Sequence, residues 1–214
     1  MKRRDVIAGA GGIVLASAAG CLGTIGMDEH EASPAGIDPD VREETGYEQT
    51  NIEEIVVEET FEAAGISEDI TVRNYLTEHE KSISFGPVGS VRAAAFMILT
   101  SPQIAIAGQE LNPIEEMSAD ELIGLIEADF DGMSNIQPVS DGEVTILDQE
   151  TAESVFEADA DFEGMTVDVY IHISESVQTA NDHLVTIGVY PKQVENVERG
   201  NIETLMDSVI ENVE

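Results

Sequence analysis

Residues 91–100, "VRAAAFMILT", are apolar except for Arg92 and Thr100. A strand with one face in water would alternate apolar and polar residues, whereas this run is nearly continuous. Continuous apolar runs of this length are typical of strands covered on both faces. The sequence therefore predicts that residues 91–100 form the central strand of a sheet, preceded by a turn at "FGPVG" (85–89).

The segment before this run predicts a β-hairpin. Both "IVVEETFEAA" (55–64) and "DITVRNYLTEH" (69–79) alternate apolar and polar residues, which is typical of half-buried strands. The residues between them, 65–67, include a glycine and are short enough for a hairpin turn. After the central run, "IAIAGQEL" (104–111) predicts a short partner strand.

The second half of the chain predicts a helix, three strands and a final helix. "SADELIGLIEADF" (118–130) begins with a capping box, Ser118 with Glu121, and places its apolar residues on one helical face. Strands are predicted at 143–159, 165–176 and 183–191. Asn201 is the predicted cap of the last helix, whose apolar stripe comprises Ile202, Leu205, Met206, Val209, Ile210 and Val213.

These elements predict an α+β fold in which a mostly antiparallel sheet packs with two helices. A helix with a wide apolar face must pack on another element, and the sheet is the surface available. Residues 50–214 are about the size of one domain. We therefore predict a single α+β domain over 50–214.

The first twenty residues predict an export signal rather than part of the fold. Lys2, Arg3 and Arg4 precede an apolar stretch, 6–20, which is too short to span a bilayer comfortably. The adjacent pair Arg3 and Arg4 is typical of a twin-arginine signal.

Cys21 directly follows the small residues that end this signal, and it is the only cysteine of the chain. A lone cysteine has no intramolecular disulfide partner, and its position at the cleavage junction favours lipidation. Residues 21–49 are then predicted to be a lipidated cysteine and an acidic tether. The predicted location is the cell membrane, with the lipid-anchored protein facing the exterior.

The charge balance is strongly acidic, with 9 Lys and Arg against 44 Asp and Glu and a formal net charge of −35. Such a chain repels itself in dilute buffer, whereas molar salt screens the repulsion. A surface of this kind is typical of halophilic proteins. It excludes nucleic acid as a partner, because binding to phosphates requires the basic residues that are missing.

Several stretches resemble an uncharacterised family of haloarchaeal twin-arginine lipoproteins. They are "ASPAGI" (32–37), "ETGYE" (44–48), "GPVGSVRAAAFMILTSPQ" (86–103), "NPIEEMS" (112–118) and "GVYP" (188–191). The resemblance implies export and a lipid anchor, and it implies no activity. The order of elements is also similar to that of PsbP-like domains, which implies an α/β/α sandwich and a non-enzymatic role beside a membrane complex.

Candidate metal sites are weak in this sequence. "DADFEGM" (159–165) imitates half of a calcium loop, but Tyr170 takes the position of the bidentate glutamate, and a hairpin turn explains the segment better. "EADFDGM" (127–133) fails in the same way. His172 and His183 are predicted on neighbouring strands but on opposite faces, as a surface and a strand-end histidine, and His79 is predicted to be solvated.

We therefore assign no catalytic, cofactor or metal residue, and no cofactor. The expected function is a non-enzymatic binding or accessory module for a membrane neighbour. A cell-envelope hydrolase or metal-dependent enzyme and a weak cation-binding surface protein are the alternatives. A pocket that clusters histidine, aspartate and tyrosine would favour an enzyme, and a flat apolar patch would favour the accessory module.

Overall fold

The computed structural model describes residues 29–63, 66–84, 90–106, 109–110, 122–123, 133–162 and 165–213. Helix α1 spans Pro39–Thr45 and helix α2 spans Glu195–Asp207, the latter preceded by a 3-10 turn at Lys192–Val194. The strands are β1 Glu29–Glu31, β2 Gly36–Ile37, β3 Glu48–Ala63, β4 Ile66–Ser84, β5 Ser90–Pro102, β6 Ala105–Ile106, β7 Gln109–Glu110, β8 Met133–Ile146, β9 Gln149–Phe162, β10 Met165–Ser174, β11 Val177–Gln178, β12 Asp182–Pro191 and β13 Val209–Ile210.

One large sheet contains most of these strands, in the order β3-β4-β5-β12-β10-β9-β8. Every neighbouring pair in this order is antiparallel. The short β1 pairs in parallel with residues 71–73 of β4, and β11 pairs with β12. The structure is therefore mostly sheet with two helices, and the prediction of a mostly antiparallel sheet is confirmed.

Strand β5 lies at the centre of the sheet, between β4 and β12, as the run at 91–100 predicts. Its side chains alternate between two buried clusters, with Phe96 and Ile98 in one and Met97 in the other. A strand covered on both faces has no polar side to expose, which explains why its sequence does not alternate. The hairpin predicted before it is confirmed as β3 and β4, which are longer than predicted.

Helix α2 covers one face of the sheet. Ile202, Leu205 and Met206 are fully buried in the same cluster as Phe96 and Ile98. On the other face, Leu122 and Ile123 belong to the cluster of Met97 and lie in helical conformation. The rest of the helix predicted at 118–130 lies outside the described residues.

The prediction of one strand over 143–159 is wrong, because this segment contains a hairpin turn. Leu147 and Asp148 have φ angles of 51° and 60°, and they connect β8 to β9. Two successive positive φ angles are the signature of a type I′ turn, which usually contains asparagine, aspartate or glycine. Leu147 hides this turn from a pattern search because it continues the apolar alternation.

The last helix begins earlier than predicted and ends earlier too. Asn201 lies in the middle of α2, where its Nδ2 donates to Glu198, so it does not cap the helix. The helix ends at Asp207, and Val209–Ile210 instead forms β13, paired with β2. The stripe is nevertheless buried at Ile202, Leu205 and Met206.

Residues 29–49, predicted as part of the tether, are packed into the domain instead. Ala35, Ile37 and Tyr47 are almost completely buried in the core under α2. The Ser33 amide donates to Asp182 at 3.2 Å and attaches this segment to β12. Because polar residues separate the few apolar ones here, no periodicity reveals the burial.

The strand pairing tests two further predictions, the hairpin turn at 159–165 and the short partner strand at 104–111. Phe162 pairs with Met165, so the imitation calcium loop at 159–165 is a hairpin between β9 and β10, as predicted. The partner strand predicted at 104–111 consists of β6 and β7, which pair with each other rather than with the large sheet.

Two glycine substitutions should change stability in opposite directions. A Cβ at Gly188 of β12 would lie 2.8 Å from two carbons of Ile202, whereas a Cβ at Gly200 of α2 would meet nothing within 4 Å. We expect Gly188→Ala to lower the free energy of unfolding by about 1–3 kcal/mol through overpacking. Gly200→Ala should raise it by about 0.5–1 kcal/mol through helix propensity. Urea unfolding at molar salt measures both, and equal effects would contradict the close contact between α2 and β12.

Candidate functional site

The residues predicted to carry export and anchoring, Arg3, Arg4 and Cys21, lie outside the described residues. The histidines lie within them and are more buried than predicted. His79 is 0% exposed and His172 is 1% exposed, so the predictions of a solvated and a surface histidine are wrong. His183 is buried near the beginning of β12, where its Nδ1 lies 3.4 Å from Ser176 Oγ.

A buried polar cluster joins three neighbouring strands, with Glu153 on β9, His172 on β10 and Tyr190 on β12. His172 Nδ1 lies 2.7 Å from Glu153 Oε1, and His172 Nε2 lies 2.9 Å from the Tyr190 hydroxyl. Because an ionised carboxylate can only accept, Nδ1 carries a proton and donates it. Gly188 is the register partner of His172 on β12, and its missing side chain leaves room for Ile202 of α2.

The order carboxylate, imidazole, hydroxyl resembles a relay that activates a nucleophile. Burial argues against that chemistry here, because all three residues are at most a few per cent exposed. Burial, followed by the neighbouring charge of Glu195, raises the pKa of Tyr190 well above its usual value and keeps the phenol neutral. The tyrosine and histidine rings also stack, with centroids 5.3 Å apart. The cluster therefore satisfies buried polar groups and fixes three strands to one another.

A second buried cluster surrounds Glu198 of α2. Its Oε1 accepts from Lys81 Nζ at 2.6 Å, and its Oε2 accepts from the Tyr47 hydroxyl and from Asn201 Nδ2, each at 3.1 Å. Lys81 Nζ also lies 5.4 Å from the centroid of the Tyr47 ring. This arrangement connects α2 to β4 and to the segment that follows α1, which makes it a structural ion pair.

His79 on β4 is buried without such compensation. Its Nδ1 lies 3.2 Å from the Phe96 carbonyl oxygen, which can only accept, so Nδ1 carries the proton and Nε2 is the free lone pair. Nε2 has no hydrogen-bond partner among the described residues. Burial is the main cause that lowers the pKa of His79 to about 4, and the charge of Arg42 contributes.

This shift predicts a loss of stability in acid. The folded pKa of about 4 lies below the reference value of 6.5, so the unfolded chain binds the proton first as the pH falls. The contribution of neutral His79 is complete above pH 6.5 and is lost as the pH falls through 4, with a total of about 3 kcal/mol. His79→Leu should remove this dependence.

The measurement is urea unfolding of both proteins at molar salt across this pH range. Carboxylates titrate in both proteins, so the difference between their curves isolates His79. Above pH 7 the two curves should run parallel, which is the internal control. Parallel curves throughout the acid range would contradict the lowered pKa.

An open depression of about 500 Å³ lies along the exposed side of α2. All the residues that line it, Glu195, Asn196, Arg199, Gly200 and Glu203, belong to that one helix. The part of the chain that the structure describes contains no group of three or more histidine, cysteine or acidic residues placed to hold a metal ion. No described helix is both long and apolar enough to cross a membrane.

In the part of the chain that the structure describes, three exposed large apolar side chains lie next to one another on β3, an edge strand of the large sheet. Ile55, Val56 and Val57 are 36%, 48% and 37% exposed, and they are consecutive, so they occupy both faces of the strand. Glu53, Glu54 and Glu58 flank them and are exposed too. We call residues 53–58 the β3 edge patch. An unpaired edge with apolar side chains is a surface on which another strand or protein can dock.

The described residues form a mostly antiparallel sheet with two helices, two buried polar clusters and an exposed sheet edge at β3. The chain belongs to the family described as a domain of unknown function (DUF6517), which matches residues 34–210. None of the curated proteins matches it. The family match begins at residue 34, just before the buried residues Ala35, Ile37 and Tyr47.

Sequence reasoning missed both polar clusters. Glu153 and Glu198 are two among 44 acidic residues, and nothing in their neighbourhoods distinguishes them from solvated ones. The isoleucines on either side of His172 point to the opposite face of β10, and Asp168, on the same face as His172, is exposed. The local sequence therefore gave no signal for the burial of His172.

Proposed function

We propose that this protein is exported, anchored by a lipid on Cys21 and exposed to a saline exterior, where its domain is a non-enzymatic module that binds a membrane neighbour. The observation that carries the binding role is the β3 edge patch, with three consecutive exposed apolar residues. The twin-arginine pair and the lone cysteine support the location. The resemblances to haloarchaeal lipoproteins and to PsbP-like domains support an accessory role.

The anchor has a direct test. Cys21→Ser should move the protein from the detergent phase to the aqueous phase in a partitioning experiment, because it removes the acylated side chain. Arg3→Lys combined with Arg4→Lys should retain the precursor inside the cell. If the Cys21→Ser protein stays in the membrane fraction as fully as its parent, the anchor lies elsewhere.

The binding role is tested by photo-crosslinking in living cells. A photoreactive amino acid replaces Val56 of the β3 edge patch, and in a matched control it replaces Val139 of β8. The two valines are equally exposed, at 48% and 49%, and lie on opposite edges of the sheet. We expect a discrete protein adduct from position 56 and none from position 139. Equal labelling from both positions would contradict a binding surface at β3.

One observation favours the alternative of a cell-envelope hydrolase, namely the carboxylate–imidazole–hydroxyl order of Glu153, His172 and Tyr190. For that function the phenol must react, so Tyr190→Phe should abolish hydrolysis of an activated ester panel while the fold is retained. For the binding module, the same variant should lose only stability, by about 1 kcal/mol for one hydrogen bond. Turnover that depends on the Tyr190 hydroxyl would replace the binding proposal.

A further inference from the structure

We propose that the partner of the β3 edge patch is an extended segment of another protein, which adds as a strand beside β3 and carries basic residues next to apolar ones. This inference rests on the proposed binding function and specifies the chemistry of its partner. It follows from the backbone of β3, from its side chains and from the contrast with the other edge of the sheet.

The backbone of β3 is suited to accept a strand. From Asn51 to Ala63 its pairing with β4 is continuous, without a bulge. Among the described strands, β3 pairs with β4 alone. Every second residue of an edge strand turns its N–H and C=O away from the sheet, so this regular stretch offers a row of donors and acceptors to an extended segment.

The opposite edge, β8, is protected by the devices that natural edge strands use. Its pairing with β9 shifts between Ser134 and Gln137 and again between Pro138 and Ser140. Asn135 has a positive φ of 58°, and Pro138 lacks an N–H. Irregular pairing and proline discourage strand addition. The two edges of one sheet therefore differ, and only β3 combines regular pairing with exposed apolar residues.

The side chains specify what the added strand should carry. Ile55 and Val57 point to one face of the sheet, and Glu54, Val56 and Glu58 point to the other. An added strand therefore needs apolar residues opposite Ile55 and Val57 and basic residues opposite the two glutamates. Glu54 already pairs with Arg73 of β4, which shows that this face accommodates a cation next to the strand.

A second copy of the chain fits this edge poorly. The antiparallel register that aligns the apolar residues of two β3 strands places Glu54 opposite Glu58 of the second copy, twice. Shifting the register by two residues sets Val56 opposite Glu54 or Glu58 and leaves one apolar pair, Ile55 with Ile55 or Val57 with Val57. Like charges directly opposite each other destabilise strand pairs, and both chains carry a net charge of −35. The acidic flanks therefore oppose self-pairing and select a basic partner.

The test uses the full chain at about 2 M salt, where only charges in direct contact still discriminate. The probe is a fluorescent peptide of about eight residues in which lysine and valine alternate. We expect saturable binding by anisotropy. Two further peptides carry N-methyl groups on every second amide, one on the odd-numbered amides and one on the even-numbered amides. One of them should bind at least about tenfold more weakly and the other should bind as before, because only one set of amides faces β3.

Two matched charge reversals locate the site. Glu58→Lys in the β3 edge patch should weaken binding of the lysine peptide by about threefold to tenfold. Glu143→Lys, at a glutamate of β8 that is also exposed, should leave it unchanged. Neither variant touches a buried cluster. Strand addition would be overturned if both variants weaken binding equally, or if the two N-methylated peptides bind with equal affinity.

The remaining outcomes separate this inference from the proposed function. A discrete crosslink from position 56 without peptide binding would overturn strand addition and leave the binding module standing. Loss of both would overturn the binding module itself. If the full chain forms a dimer at molar salt that Glu58→Lys changes and Glu143→Lys does not, β3 is occupied by a second copy, and the basic partner is excluded.

Discussion

Lys81→Met should be among the most destabilising single substitutions in this protein, with a loss of about 3–5 kcal/mol in the free energy of unfolding. Methionine preserves most of the packing but removes the cation 2.6 Å from Glu198, which is 2% exposed. The carboxylate would remain buried with only the Tyr47 hydroxyl and Asn201 Nδ2 as donors. A typical domain has only about 5–15 kcal/mol in total, so this loss would remove a large share of its stability.

Lys192→Met is the matched control for this prediction. Lys192 also pairs with a glutamate, Glu157, and its Nζ also lies over a tyrosine ring, 5.0 Å from the Tyr170 centroid. This pair is on the surface, so its loss should cost less than about 1 kcal/mol. The two lysines thus differ chiefly in the burial of their partner, and urea unfolding at molar salt compares them.

A double variant distinguishes the loss of the Lys81–Glu198 attraction from the cost of burying the Glu198 carboxylate without a cation. Lys81→Met combined with Glu198→Leu leaves no buried carboxylate, so it should recover much of the stability lost by Lys81→Met alone. Tyr47 and Asn201 then lose their acceptor, which limits the recovery. If Lys81→Met costs no more than Lys192→Met, Glu198 is not the buried charge that the structure indicates.

The sequence predicted the fold where a whole strand is covered on both faces. It did not predict the fold where only scattered residues of a segment are buried. The run at 91–100 is apolar because both faces of β5 are covered, and the pattern reports this directly. The segment 29–49 is packed through scattered residues such as Ala35 and Tyr47, which no period of 2.0 or 3.6 connects. Its place in the domain depends on long-range contacts with β4, β12 and α2, which a local pattern does not contain.

The polar clusters were unpredictable for a related reason. Whether His172 meets Glu153 depends on which strands are neighbours and on their register, and the turn between β9 and β10, where Phe162 pairs with Met165, sets the register of Glu153 against His172. A one-residue error in that turn would place Glu153 on the opposite face. The β3 edge patch was partly visible, because residues 55–57 form an apolar run next to glutamates. That β3 is an edge strand follows only from the complete sheet order.

The prediction with the widest effect concerns salt. The folded domain should be stable at molar salt and lose its structure in dilute buffer. Four of the basic side chains that the structure describes, Arg73, Lys81, Lys192 and Arg199, already pair with glutamates, so they are not available to neutralise the remaining acidic residues. At about 0.01 M ionic strength the Debye length is ~30 Å, comparable to the width of a domain, so each carboxylate interacts with most of the others.

Many repulsions of a few tenths of a kcal/mol then compete with a total stability of about 5–15 kcal/mol. Circular dichroism and thermal unfolding across sodium chloride concentrations at neutral pH measure the effect. Lowering the pH toward 4 in dilute buffer should restore part of the structure, because protonated carboxylates no longer repel one another. The lowered pKa of His79 reduces the stability of the folded domain in acid and so limits this recovery of structure. The His79→Leu variant should therefore refold more completely than its parent in dilute acid. A melting temperature that is independent of salt at neutral pH would show that packing, rather than charge, determines the stability of this domain.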